Sequence, residues 1–172
     1  MKQMRLLAAL LVTSVAAVGL SCLPDRGPTE PAAPTPNANL LQSTGLLSCS
    51  ALPYASATVT IGPSGGTIKV GPHTLVVPSG ALSAPTTITG VIPQGEGVNA
   101  VQFRPAGLQF SRSASLTMSY ANCSLLGILL PKRIAYTTDG LQILEYLLSL
   151  DNILSRKVTG RVTHFSQYAV AW

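Results

Sequence analysis

From Thr58 to the C-terminus, apolar and hydroxylated β-branched residues come in runs of about five, broken by Gly and Pro at intervals near ten. That punctuation leaves no room for a long helical period. It allows short antiparallel strands closed into a sandwich or barrel, and the expectation is an all-β chain, an antiparallel β-sandwich. The expected strands are Thr58 to Ile61, Thr67 to Val70, His73 to Val77, Thr86 to Ile92, Val98 to Phe103 and Gln109 to Ser111. Turns at Gly62-Pro63-Ser64-Gly65-Gly66, Gly71-Pro72, Pro78-Ser79-Gly80-Ala81 and Arg104-Pro105-Ala106-Gly107 separate them. Ala114, Leu116, Met118 and Tyr120 then alternate with Ser113, Ser115, Thr117 and Ser119, which buries one face and wets the other.

Arg133 to Thr137 and Leu141 to Leu147 flank Thr138-Asp139-Gly140. Asp-Gly between apolar runs predicts a hairpin with a type I′ turn, whose two central residues have positive φ. Val158 to Phe165 and Gln167 to Trp172 complete the domain; in the last, Tyr168, Val170 and Trp172 alternate with Gln167, Ala169 and Ala171. Leu125-Leu126-Gly127-Ile128-Leu129-Leu130 is apolar without alternation, which fits a buried loop or short helix or an exposed partner-binding patch. Gly95-Glu96-Gly97 reads as a hairpin tip.

The N-terminus has a different grammar. Lys2 and Arg5 precede an uncharged run from Leu6 to Leu20, and Ser21-Cys22 closes it. This is the pattern of an export signal. The run falls short of the roughly 20 apolar residues that span a bilayer. Residues 1–21 are expected to be a lipoprotein signal, with Cys22 the acylated first residue of the mature chain. Gly19 stands where an aliphatic residue is usual, and cutting after Ala17-Val18-Gly19 would instead leave an ordinary secreted chain beginning at Leu20. An uncleaved anchor is the third option. Residues 22–45, Pro-rich as far as Pro36, read as a flexible tether, and residues 46–172 as the domain. A domain held by acyl chains needs such a spacer to clear the headgroups, which favours lipid on Cys22. The protein is therefore expected to be exported and membrane-anchored in the cell envelope, the alternative being secretion.

Eleven Lys and Arg stand against six Asp and Glu, but Lys2 and Arg5 belong to the leader. The remaining cations are scattered, without the clustering and stacking aromatics of a nucleic-acid site, so no nucleic acid is expected. Three cysteines would leave one unpaired in an oxidising compartment. If Cys22 carries lipid, Cys49 and Cys123 form a disulfide, worth on the order of 4 kcal/mol for so long a loop; otherwise both are buried thiols.

Four strings, Ile61-Gly62-Pro63-Ser64-Gly65-Gly66-Thr67, Leu75-Val76-Val77-Pro78-Ser79-Gly80-Ala81-Leu82, Phe103-Arg104-Pro105-Ala106-Gly107-Leu108-Gln109-Phe110 and His164-Phe165-Ser166, occur in this order. In that order they resemble a ZU-five domain, the β-sandwich module of zonula occludens proteins, netrin receptors and ankyrins. The resemblance covers about residues 57 to 120 well and the C-terminal strands less fully. Gly66 and Gly80 are expected at positive φ. The resemblance implies a scaffold or interaction module with an unidentified protein partner, and in some members self-cleavage within His-Phe-Ser.

For that cleavage Ser166 Oγ attacks the Phe165 carbonyl, the chain shifts to an ester, and water hydrolyses it, with His164 assisting proton transfer. A positioned base supplies about 10²- to 10⁴-fold, so a distorted peptide must contribute as well. The plainer reading has Phe165 filling the core while His164 and Ser166 satisfy backbone groups. Gly62-Pro63-Ser64-Gly65-Gly66 also fits the nucleophile pattern G-x-S-x-G, with Asp139 and His164 following in triad order. That elbow belongs between a strand and a helix, so here it reads as a turn. His73 and His164 are the two histidines, and neither has a second ligand nearby in sequence; no metal and no cofactor are expected. Two functions remain, a tethered non-enzymatic interaction or structural module, and a domain that cuts itself once.

Overall fold

A computed structural model describes residues 45–94, 97–124 and 130–172. The leader, Cys22, residues 22–44 of the tether, Gly95-Glu96 and the segment 125–129 lie outside them. Among the described residues there are eleven strands: β1 Ala55–Ile61, β2 Gly66–Val70, β3 His73–Val77, β4 Thr86–Ile92, β5 Ala100–Arg104, β6 Gln109–Ser119, β7 Arg133–Thr137, β8 Ile143–Tyr146, β9 Ser149–Asn152, β10 Lys157–His164 and β11 Gln167–Ala171. They form a six-stranded sheet, β1-β4-β5-β11-β7-β8, and a five-stranded sheet, β2-β3-β6-β10-β9. Every strand pairing is antiparallel. The chain is an all-β sandwich.

Period-2 patterning decides which face each strand buries. In β6, Ala114, Leu116 and Met118 are buried while Ser113, Ser115 and Thr117 face out. In β3, His73, Leu75 and Val77 point inward. Together with Ile88, Val101, Phe103, Val158, Val162, Phe165 and Tyr168 they fill the space between the sheets.

β11 departs from the alternation because all five of its residues are buried. Tyr168 and Val170 enter the main core, whereas Ala169 and Ala171 join a second cluster with Leu46, Val98, Ala100, Ala135 and Leu141. Leu46 itself is bridged to Ala171 of β11. Trp172 N–H donates to the Gly45 carbonyl at 3.0 Å and Leu47 N–H to Val170 at 2.9 Å. Gly45, the last residue assigned to the tether, is thus already held by the C-terminal strand.

Several local expectations are corrected. Gln109 to Ser111 and the alternating run after it form one strand, β6. The run Leu141 to Leu147 yields only β8, and the next four-residue strand, β9, lies in the other sheet. The crossing falls at Leu147-Leu148. Leu147 N–H still donates to Ile134 of β7, at 2.8 Å, whereas Ser149 is the register partner of Gly160 in β10.

The β7–β8 turn is not type I′. Leu141, at φ 62°, has the positive φ, while Asp139 and Gly140 do not. Leu141 N–H donates to Thr138 and Thr138 N–H to Gln142, the pattern of a three-residue loop ending in a left-handed residue. At the β1–β2 turn the positive φ falls on Gly65 (78°) rather than Gly66, because Gly65 passes close to the Val77 and Pro78 backbone; Gly80 is as expected, at 76°.

Candidate functional site

β10 ends in a register shift between Val162 and His164, and β11 begins at Gln167 in the opposite sheet. Phe165-Ser166 is therefore the crossing between sheets. Three of its backbone groups are engaged: Phe165 N–H donates to Leu108 at 2.8 Å, Gly107 N–H to the Phe165 carbonyl at 3.0 Å, and Phe103 N–H to the Ser166 carbonyl at 3.0 Å. The Phe165 ring is buried, stacked on Phe103 with centroids 5.5 Å apart and met edge-on by Phe110 at 4.9 Å. Such aromatic pairs add about 0.5–1.5 kcal/mol each beyond their burial.

The half-buried His164 ring stands edge-to-face on Tyr136, centroids 4.8 Å apart, and its Nδ1 lies 3.3 Å from Thr163 Oγ1. Tyr168 Oη donates to the His164 carbonyl. Burial, and then the nearby Tyr136 and Glu145, raise the Tyr168 hydroxyl above the usual phenol range, so it remains a donor at neutral pH. Among the described residues no hydrogen bond joins the His164 ring to Ser166 Oγ. Among the described residues the non-glycine ones with positive φ are Leu141 and Arg156, so the crossing is not held in the left-handed region.

The other three motif strings gather at the same end. Gly80 N–H donates to the Pro63 carbonyl at 2.8 Å and Ser111 N–H to Ala81 at 3.0 Å, while Phe103 and Phe110 clasp Phe165. Four strings far apart in sequence thus close into one connected block. The triad order Ser64, Asp139, His164 does not produce a triad. Ser64 is exposed in the β1–β2 turn and leads into a strand, and Asp139 accepts a hydrogen bond from Gln102 Nε2 at 2.8 Å.

Cys49 and Cys123 are disulfide-bonded, S–S 2.03 Å, across an isolated antiparallel bridge. Beside them, Asn99 Nδ2 donates to Asn122 Oδ1 at 2.7 Å and Asn122 Nδ2 to Asn99 Oδ1 at 3.0 Å. Asn99 Nδ2 also reaches the Ser119 carbonyl and Asn122 Nδ2 the Ser50 carbonyl. This amide pair, Asn99 buried and Asn122 half-buried, had one signal in sequence, a polar Asn99 inside an otherwise apolar run.

His73 is fully buried. Its Nδ1 accepts from Ser119 N–H at 3.1 Å, its Nε2 has no protein partner, and burial pushes its pKa down to about 4. Tyr120 donates to Asp151 Oδ1 at 2.6 Å; burial and that bond together raise its pKa. Among the described residues no three of His, Cys, Asp and Glu cluster as metal ligands would.

No protein-family model matches the chain, and no curated protein matches it.

Proposed function

We propose that this protein is an exported, cell-envelope module held to a membrane by lipid on Cys22, and that its ZU-five-like sandwich serves a non-enzymatic interaction or structural role toward an unidentified protein partner. The observation that carries the anchoring is the clamp at the start of the fold. Gly45 is bonded to Trp172 and Leu47 to Val170 of β11, and two residues further on Cys49 is covalently fixed to Cys123. A pull arriving along the tether meets a backbone ladder and then a disulfide before it can peel a strand from the core. The ZU-five resemblance is supported by the convergence of its four strings at one end of the sandwich.

Mass spectrometry of protein purified from its own envelope tests the anchor. Acylated Cys22 is expected as the N-terminal residue, and Cys22→Ala should release the protein from salt-washed membranes. An unmodified N-terminus at Leu20 overturns it.

One observation favours the second reading, single self-cleavage between Phe165 and Ser166. Gly107 N–H already points at the Phe165 carbonyl oxygen, where a tetrahedral intermediate would carry its charge. In that reading Ser166 is the nucleophile and His164 the proton carrier.

A further inference from the structure

β8 ends the six-stranded sheet and β9 ends the five-stranded one, so the stretch from Ile143 to Asn152 borders both. Such edges are usually blunted by charge or cover. This one is apolar. Leu148 is 83 %, Leu150 79 %, Ile153 52 % and Leu154 99 % exposed, with Leu144 and Tyr146 exposed beside them. Leu148 and Leu150 line a shallow groove of about 440 Å³ together with Thr159, Gly160 and Arg161, and Leu148 lines the next one with Tyr146 and Arg133, so the patch is continuous. Ile153 and Leu154 project from the β9–β10 turn.

Cations rim the patch. The Arg133 guanidinium lies over the Tyr146 ring, 5.5 Å from its centroid, and Lys157 and Arg161 are exposed on β10. Arg156, in the turn, donates to the Ala121 carbonyl. Of the carboxylates nearby, Asp151 is turned inward to Tyr120 Oη and Lys132 N–H, which leaves Glu145 as the exposed one. Gly45, the first described residue, lies against Tyr146 and Ile143, so the described part of the chain begins beside this border.

We propose that this border is a membrane-contacting edge. In the anchored protein Leu148, Leu150, Ile153 and Leu154 enter the interface of an anionic phospholipid leaflet, and Arg133, Lys157 and Arg161 stay at the headgroup phosphates. This rests on the reading that Cys22 carries lipid. Protruding aliphatic side chains rimmed by cations match what an anionic lipid surface offers, apolar depth beneath negative charge. A second copy suits the edge less well, because a two-fold contact would set the same cations against one another. Such an edge adds a second, weak attachment to the acyl anchor; alone it is too salt-sensitive to hold the protein through a membrane wash.

The test uses the mature chain from residue 22 with Cys22→Ala, sedimented with vesicles. Binding is expected to vesicles with about 30 mol % phosphatidylglycerol and not to neutral ones, weakening about tenfold when salt rises from about 0.05 to 0.3 M. Leu150→Ser and Leu154→Ser should each cost about tenfold. Val76→Ser, at an exposed residue of β3, should cost nothing. Near-UV circular dichroism verifies that each variant is folded. Absence of binding, or binding unchanged in the Leu150→Ser, Leu154→Ser double variant, overturns the proposal, as does a dimer in light scattering that those substitutions dissolve. The anchor is judged separately: acylated Cys22 in native protein with no vesicle binding sinks the edge alone, and unmodified Cys22 with vesicle binding sinks the anchor alone.

Discussion

Gly107 donates its backbone N–H to the carbonyl of Phe165 at 3.0 Å, in the same two-residue exchange that has Phe165 N–H donating to Leu108. The carbonyl that self-cleavage would attack is thereby held by a hydrogen bond, with the Phe165 ring fixed between Phe103 and Phe110. Seated in this way, Phe165 has a packing role whether or not its bond is ever cut.

Two measurements follow for Phe165. Freshly folded protein is expected to keep its full mass for days at neutral pH, with or without hydroxylamine, which traps esters. A chain ending at Phe165, absent from Ser166→Ala and slowed in His164→Ala, would establish the cleaving alternative instead. Phe165→Ala should destabilise the fold by about 3–5 kcal/mol, because it empties a site between the Phe103 and Phe110 rings. A loss under about 1 kcal/mol in urea melts would remove its structural role.

His73 gives the fold a pH dependence. Its folded pKa is about 4, against 6.5 for the free side chain, so between those values the unfolded chain takes up the proton and the folded one does not. The stability it contributes is whole above pH 6.5 and is lost as pH falls toward 4. A gap of that size corresponds to about 3 kcal/mol. His73→Asn keeps an acceptor for Ser119 N–H without the titration. The difference in melting temperature between the two proteins should be constant above pH 6.5 and shrink as pH falls toward 4; parallel profiles across the range would show that His73 is not buried neutral.

Alternation made most of the strands legible: His73–Val77, Thr86–Ile92 and Arg133–Thr137 have the bounds their sequence suggests. Where patterning and burial coincide, period 2 is enough. It misses β9, where apolar Leu150 faces solvent while polar Ser149 and Asp151 are half-buried. It fails again at β11, whose outer alanines are covered by Leu46, a long-range contact that no local pattern encodes. The cysteine count found the disulfide. The Asn99–Asn122 pair was hidden because each amide is satisfied by a residue 23 positions away.

The disulfide closes a loop across a sequence separation of 74. Cys49→Ala with Cys123→Ala is expected to cost about 2–5 kcal/mol, read from denaturant melts of wild type with and without reductant. The loss should exceed that of a generic cross-link, because the same bridge holds Ser48, Ser50 and Asn122 in register. Alkylation of both thiols in native, unreduced protein would refute the bond.

Leu141 sets two effects against each other. Its φ of 62° is a conformation that glycine adopts freely and that costs an L-residue about 1–2 kcal/mol. Yet the side chain is buried in the outer cluster with Leu46, Val98 and Ala135, and removing a buried leucine costs about 2–5 kcal/mol. Leu141→Gly relaxes the turn and empties the cluster. The second effect is larger, so the variant should be less stable by about 1–3 kcal/mol although glycine is the residue the turn favours. The same cluster shields the outer face of β11, so protection of the Ala169 and Ala171 amides from hydrogen exchange should fall in parallel. A variant more stable than wild type would mean that Leu141 covers nothing and that backbone conformation alone governs this hairpin.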